Sequence, residues 1–185
     1  MAVKLGTLND DDLIGTAAND VFLAHSGKDI LIGNAGNDLL YFSSGSPTIF
    51  GGDGNDYIVI EGSTNAKVDA GSGNDIVLAS VSSSIGGVKD SPAHTSLLDT
   101  SGGDGTDYLS LVLSGGYQFS FTMGSGLNST LYTGTKISGF ETGIIVGSSL
   151  GDTFTATNWR LDNTIFTLPD DFCEFLCANQ KCYAD

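Results

Sequence analysis

A nine-residue period runs through the first half of the chain and constrains its fold more than any other feature. Starting at Gly6, eight successive units share one frame, with one inserted residue, and end at Leu78. The sixth place of a unit is usually Asp, and the eighth place is apolar in nearly every unit. The unit Gly51–Val59 shows the full pattern, with glycine at its first, second and fourth places. Such a period predicts a repetitive, stacked architecture.

Each unit has the sequence of a tight turn followed by a very short strand. Gly, Asn and Asp suit open or left-handed backbone angles, and the three residues after the Asp suit a strand with one side chain pointing inward. Because one short strand cannot bury its apolar side alone, two units form a coil of about 18 residues, and coils stack with parallel strands about 4.8 Å apart. The sequence therefore predicts an all-β solenoid. Its core is expected from the eighth places: Leu13, Phe22, Leu31, Leu40, Ile49, Ile58 and Val77.

The sixth-place acids point to cation binding. Turns two units apart lie above one another, so their carboxylates stack. At a separation of about 4 Å and an effective dielectric of about 20, each uncompensated pair repels by about 4 kcal/mol. Carboxylate and carbonyl oxygens are hard ligands, and they favour Ca²⁺ over Mg²⁺, which demands a strict octahedron. The predicted calcium ligands are Asp11, Asp20, Asp29, Asp38, Asp56, Asp75, Asp107 and Asp152.

The two edges of the solenoid are predicted to differ. On one edge every unit keeps its Asp, and later turns continue the column through Asp107 to Asp152. This edge is expected to have six carboxylate levels and up to five calcium sites between them. On the other edge Pro47 follows Asp29, so at most one site, shared with Asp11, is expected there.

These units resemble the calcium-binding β-roll repeats of the repeats-in-toxin (RTX, haemolysin-type) family. Gly51–Val59 matches the family nonapeptide G-G-x-G-x-D-x-U-x at every fixed place, and Gly33–Tyr41 and Ala70–Leu78 match it nearly as well. The resemblance implies a right-handed parallel β-roll in which Ca²⁺ binds the sixth-place Asp and sometimes a third-place acid, here Asp53 and Asp104. It also implies ligands from turn carbonyls: Gly15, Ala17, Gly33, Ala35, Gly36, Gly51, Gly54, Gly71, Gly73, Gly102 and Gly105.

Beyond Leu78 the period loosens. Residues 6–158 are predicted to form the calcium-binding roll, with regular repeats over 6–78 and enlarged coils over 79–158 on the side without the carboxylate column. From Asn158 the periodicity stops, and residues 159–185 are predicted to be a small cap over the open end of the solenoid. Within this cap, Asp170 and Asp171 favour the start of a helix that extends to Cys177.

Composition disfavours several classes of partner. Seven basic residues against 22 acidic ones give a net charge of −15, which disfavours nucleic acid and anionic membrane surfaces. No apolar run approaches the roughly 18 to 20 residues of a membrane helix. The N-terminus also lacks the apolar region of a cleavable secretory signal.

The remaining reactive residues show no catalytic pattern. His25 and His94 have no matched acid and nucleophile at a known spacing, so no catalytic residue is predicted. Three cysteines near the C-terminus are expected to be buried thiols or to form one disulfide, because they lack a fourth zinc ligand. They are Cys173, Cys177 and Cys182. Four other acids are expected to be solvated at the surface: Asp12, Asp90, Asp99 and Asp162.

The leading hypothesis is a calcium-binding β-roll that folds on binding Ca²⁺ and has no catalysis of its own. The family resemblance implies export through a type I secretion channel and an extracellular or cell-surface location. The enlarged coils then offer a surface for a glycan, a partner protein or a second copy of the chain. Two alternatives remain open: a calcium-stabilised module of a secreted hydrolase, epimerase or lyase, and a self-assembling surface-layer unit.

Overall fold

The computed structural model describes residues 1–62, 65–83, 98–115, 120–124, 126–127, 136–146, 153–156, 165–167 and 176–177. These residues form short strands and the turns that join them, with no helix among them. The strands are, in chain order, β1 (Val3–Leu5), β2 (Asp12–Ile14), β3 (Val21–Gly27), β4 (Ile30–Ala35), β5 (Leu39–Gly45), β6 (Thr48–Asp53), β7 (Tyr57–Glu61), β8 (Ala66–Ser72), β9 (Ile76–Ser83), β10 (Leu98–Ser101), β11 (Tyr108–Gly115), β12 (Ser120–Gly124), β13 (Gly126–Leu127), β14 (Lys136–Ser138), β15 (Thr142–Val146), β16 (Thr153–Ala156), β17 (Ile165–Thr167) and β18 (Leu176–Cys177).

Two parallel sheets form the body of the fold. Sheet 1 has the strand order β1-β3-β5-β7-β9-β11-β15-β17, and sheet 2 has the order β14-β10-β8-β6-β4-β2. Paired strands lie one coil apart, since Val21 pairs with Leu39 and Leu39 pairs with Tyr57. The chain therefore passes from one sheet to the other and back, and each passage adds one level to a stack. The predicted all-β solenoid is confirmed.

A third, smaller sheet lies downstream. Its order is β13-β12-β16-β18, and β12 pairs antiparallel with β13. The two main sheets therefore account for the repeats, whereas this sheet is built from segments without the nine-residue period.

The core lies between sheets 1 and 2. Side chains alternate inward and outward along each strand, so one or two apolar residues per strand point into the stack. Phe22 packs above Leu40 and Leu40 above Ile58, since these residues are strand partners. All the eighth-place residues predicted to form the core are buried: Leu13, Phe22, Leu31, Leu40, Ile49, Ile58 and Val77.

The predicted helix from Asp170 to Cys177 is wrong at its C-terminal end. Leu176 and Cys177 form a strand that pairs in parallel with Thr155 and Ala156. The edge of a sheet offers unpaired backbone donors and acceptors, and here it takes up the segment in preference to a helix. No membrane-spanning helix is present in the described residues. Several predicted residues lie outside the described residues: Asp90, His94, Asp152, Asp162, Asp170, Cys173 and Cys182.

Candidate metal centre

Five carboxylates stack along the edge where the chain passes from sheet 2 into sheet 1, called here the carboxylate edge. Each carboxylate ends a turn and directly precedes a strand of sheet 1, and each residue is at most 2% exposed. The backbone N–H of each donates to Oδ1 of the next, at 2.6 Å for the first pair and 2.8 Å for the other three. The structure thus brings together the predicted column Asp20, Asp38, Asp56, Asp75 and Asp107.

Glycine at the first place of a turn leaves room for oxygens. A Cβ added to Gly33 would overlap both Gly51 O, from the next level, and Asp38 Oδ2. A Cβ on Gly51 would likewise overlap Ala70 O and Asp56 Oδ2. At these levels, therefore, a backbone carbonyl oxygen and a carboxylate oxygen converge on one small space between neighbouring turns.

The second oxygen of these carboxylates has no protein partner. Asp38 Oδ2, Asp56 Oδ2 and Asp75 Oδ2 are buried and accept no hydrogen bond. A buried charged oxygen without a donor costs free energy, because it has lost its hydration and gained nothing in exchange. A cation beside these oxygens would remove that cost.

Burial also disfavours the charge on this edge. Desolvation raises the pKa of Asp38, Asp75 and Asp107. For Asp56, desolvation and the carboxylates of both neighbouring levels raise the pKa to about 6, although the N–H of Asp38 opposes the shift. A bound cation reverses this effect, because it favours the ionised form.

The ligand chemistry of the carboxylate edge fits calcium. Across the described ranges, no group of three or more His, Cys, Asp or Glu residues is placed to hold a metal ion. A cation between two levels must therefore combine carboxylate oxygens with backbone carbonyls and water. Ca²⁺ accepts six to eight such oxygens in flexible geometry, whereas metals that prefer thiolate or imidazole find no ligands here.

Turn carbonyls enter the gaps between levels from both sides. The first-place carbonyls of Gly33 and Gly51 face the preceding level, whereas the fourth-place carbonyls of Gly36 and Gly54 face the following level. The carbonyl of Gly73 repeats the second arrangement toward Gly105, and a Cβ on Gly102 would overlap the carbonyl of Gly139. Gly15 O already accepts Asn34 Nδ2, and Gly71 O accepts the N–H of Asp104. Ala17 is exposed, and Ala35 is half-buried in its turn.

The third-place acids lie outside the column. Asp53 and Asp104 are exposed on the outer side of their turns. Asp53 Oδ1 accepts a hydrogen bond from Ser72 Oγ at 2.8 Å. Asp53 therefore contacts the outer side of the next turn, whereas the charge of Asp104 is among the causes that raise the pKa of Asp107, after desolvation.

The nine-residue repeats match a known protein family. Residues 5–40 and 43–59 match the RTX calcium-binding nonapeptide repeat, in four copies. Residues 5–59 are RTX calcium-binding nonapeptide repeats. No curated protein and no solved structure matches the chain. The RTX match ends at residue 59, but the structure continues the same carboxylate stacking through Asp75 to Asp107.

After Asp107 the next level of the column is formed by Glu141, whereas Asp152, the acid predicted for that level, lies outside the described residues. Strand β11 pairs with β15 in a register that places Tyr108 opposite Thr142, and the N–H of Asp107 donates to Glu141 Oε2 at 2.7 Å. Only Gly139, Phe140 and Glu141 separate β14 from β15. Six residues separate β10 from β11, so this turn is shorter than that of the preceding level, and Gly139, with a φ of 69°, permits it. The longer Glu side chain reaches the position that Asp occupies at the other levels.

The opposite edge of the RTX repeats contains one stacked pair of acids. The N–H of Asp11 donates to Asp29 Oδ1 at 3.0 Å. Asp29 is fully buried, its Oδ2 has no hydrogen-bond partner, and desolvation raises its pKa. At the next level Pro47 accepts the N–H of Lys67 and provides no carboxylate. The expected stacking of Asp11 on Asp29 is observed, and Asp10 lies nearby, since its Oδ1 accepts the N–H of Lys28 and its charge also raises the pKa of Asp29. Asp12 and Asp99 are exposed as predicted.

A second ladder, of asparagines, was not predicted from the sequence. The N–H of Asn37 donates to Asn19 Oδ1 at 3.0 Å, and that of Asn55 donates to Asn37 Oδ1 at 2.9 Å. Asn74 and Thr106 continue the series. The sequence signal for this ladder is an Asn immediately before the sixth-place Asp in four units of the carboxylate edge. This ladder runs in the direction opposite to the Asp ladder, and it joins neighbouring levels without a cation.

Two RTX acids have a different environment. Asp20 Oδ2 accepts the N–H of Thr16 at 2.6 Å and its hydroxyl at 2.8 Å. The N–H of Thr16 is the largest cause that lowers the pKa of Asp20, in contrast to the raised values along the rest of the edge. Asp11 Oδ2 accepts the corresponding pair of hydrogen bonds from Thr7.

Proposed function

We propose that this chain is a secreted calcium-binding β-roll whose folding is coupled to Ca²⁺ bound between its levels. One observation carries the proposal: in the RTX repeats and directly after them, four stacked carboxylates keep a buried Oδ2 that no protein donor satisfies. They are Asp29, Asp38, Asp56 and Asp75. Carbonyl oxygens from the neighbouring turns approach the same gaps. The residues therefore fit a hard, oxygen-binding cation.

The proposed ions lie in two places. On the carboxylate edge they bind at the levels of Asp38, Asp56 and Asp75. The stack continues at Asp107, whose Oδ2 lies 2.8 Å from the point that a Cβ on Gly102 would occupy. On the opposite edge one ion binds at Asp29. An anomalous-scattering map from crystals grown in the presence of calcium tests this arrangement. Peaks are expected at the levels named above, and a peak beside Pro47 would contradict the proposal.

Coupling to folding follows from the energies. A site at 100 times its dissociation constant adds about 2.7 kcal/mol of stability, and several sites together reach the 5–15 kcal/mol of a typical domain. Without calcium, the buried charges oppose folding. The chain then remains unfolded at the low calcium concentration of a cytosol and folds outside the cell, which suits export through a type I channel.

Circular dichroism in EDTA, followed by excess Ca²⁺, measures this coupling. We expect β-structure to appear only on calcium addition at pH 7. The matched control is Asp53→Asn, which removes an exposed charge from the turn that contains Asp56 and should leave the response unchanged. A wild-type chain with full β-structure in EDTA would refute coupled folding.

We further propose that the roll serves binding rather than catalysis. Outward-facing apolar residues of sheet 1 occupy successive levels, and Leu39, Tyr57 and Ile76 are 36%, 39% and 37% exposed. They are strand partners in one row. We infer that this row of apolar side chains is an interaction surface, for which a glycan, a partner protein or a second copy of the chain are candidates. Light scattering with and without calcium separates self-association from the other two.

A further inference from the structure

In the first coil, Asp11 and Asp20 accept hydrogen bonds that no later coil repeats within the part of the chain that the structure describes. Asp11 and Asp20 each have a threonine four residues earlier, at the second place of the turn: Thr7 and Thr16. The corresponding second-place residues of later turns on the carboxylate edge are Asn34, Gly52, Gly71 and Gly103. Threonine at the second place of the turn and Asp at the sixth place therefore distinguish this coil from the later turns of the carboxylate edge named above.

Each of these threonines donates twice to its acid. Thr16 N–H and Oγ1 lie 2.6 Å and 2.8 Å from Asp20 Oδ2, and Thr7 N–H and Oγ1 lie at the same distances from Asp11 Oδ2. The other oxygen of Asp20 accepts the N–H of Ala2. Both carboxylate oxygens of Asp20 are thus satisfied by the chain itself.

Backbone conformation explains why threonine makes this contact. At the second place, Asn34, Gly52 and Gly71 have φ angles of 77°, 114° and 110°. Thr7 and Thr16 are not among the residues with positive φ, and a β-branched side chain rarely adopts that region. The residue at the second place therefore determines which of two turns forms. In one turn this residue donates hydrogen bonds to Oδ2 of the sixth-place Asp, and in the other Oδ2 receives no hydrogen bond.

We infer that Thr7 and Thr16 take the place of a cation in the first coil, so that Asp11 and Asp20 are not calcium ligands. This inference rests on the proposed calcium-binding function and revises the ligand set predicted from the sequence. A calcium ion at Asp20 would have to displace two charge-assisted hydrogen bonds, which are the stronger kind in proteins. The first coil is then a calcium-independent end of the roll.

Calcium stoichiometry of the full chain, measured by isothermal titration, tests the inference. Asp20→Asn should leave the number of bound ions per chain unchanged, whereas Asp56→Asn should lower it by at least one. Thr16→Asn, which installs the residue found at position 34, should raise it by one. The reciprocal change Asn34→Thr should lower it by one, and circular dichroism in calcium verifies that each variant is folded.

The outcomes are distinguishable. A lower ion count in Asp20→Asn, with normal binding by the wild type, would overturn this inference and leave the proposed function intact. An unchanged count in a folded Thr16→Asn variant would also overturn it. If Thr16→Asn does not fold, Asp20→Asn and Asn34→Thr still decide the question. A wild-type chain that binds no calcium would refute the proposed function itself.

Discussion

Replacing Asp56 by asparagine should change stability in opposite directions with and without calcium. Asn keeps an oxygen that can accept the N–H of Asp38, now at 2.8 Å, and removes one buried charge. At pH 7 the charge is unfavourable in the calcium-free fold, because the pKa is raised from 3.8 to about 6. A shift of this size corresponds to about 3 kcal/mol, which screening by water and salt reduces to about 2 kcal/mol.

The expected result is therefore a gain of about 2 kcal/mol for Asp56→Asn in EDTA and a loss in saturating Ca²⁺, where the variant lacks a ligand. Urea unfolding followed by circular dichroism measures both. A stabilising osmolyte brings the calcium-free transition into range if that chain is unfolded in buffer. Asp20→Asn is the matched control, since the lowered pKa of Asp20 means that its loss destabilises the chain in EDTA. Destabilisation of Asp56→Asn in EDTA would refute the electrostatic account.

Three further predictions follow from the same geometry. Because the pKa of Asp56 is raised to about 6, its stabilising contribution is fully present below pH 3.8 and is lost as the pH rises through 6. The calcium-free chain should therefore gain β-structure between pH 7 and pH 4, and a loss of circular-dichroism signal over that range would contradict this. Gly33→Ala should weaken calcium binding and lower the free energy of unfolding by about 1–3 kcal/mol, because its Cβ would overlap Gly51 O and Asp38 Oδ2. Calcium titration and urea unfolding measure the two effects. Gly6→Ala is the control and should show a smaller effect, since the atom nearest to its Cβ is 3.2 Å away. Glu141→Ala should cost about 1–3 kcal/mol of unfolding free energy by removing the acceptor of the Asp107 N–H, and a larger loss for Asp152→Ala than for Glu141→Ala would contradict this role of Glu141.

The regular part of the fold was predictable because its signal is repeated. Apolar residues at one place in each unit specify the inward face, and Phe22, Leu40 and Ile58 are buried one above another as expected. The position of the carboxylate column followed from the length of a coil. Because two units make one coil, a turn two units further along the chain lies at the next level. Repetition makes each unit evidence for the others.

The parts that were not predicted depend on single contacts. Glu141 lies at the level after Asp107 because a turn of three residues brings it into register there, and no repeat in the sequence indicates that Glu can take the place of Asp. The hydrogen bonds between Thr16 and Asp20 depend on the backbone angle of one residue. The strand at Leu176 and Cys177 depends on a neighbouring sheet edge, which a local pattern of apolar residues does not reveal.

The unequal spacing of the column acids has a consequence for how such a chain can change in length. Successive acids from Asp20 are 18, 18, 19, 32 and 34 residues apart, yet each still meets the next. The extra residues fall where the chain leaves sheet 1, between β7 and β8, β9 and β10, and β11 and β14. Insertion is therefore tolerated on one side of the molecule only. A foreign peptide inserted between Ser83 and Leu98 should therefore leave the contact between Asp75 and Asp107 intact, so the length of the chain can change while the ion-binding edge keeps its spacing.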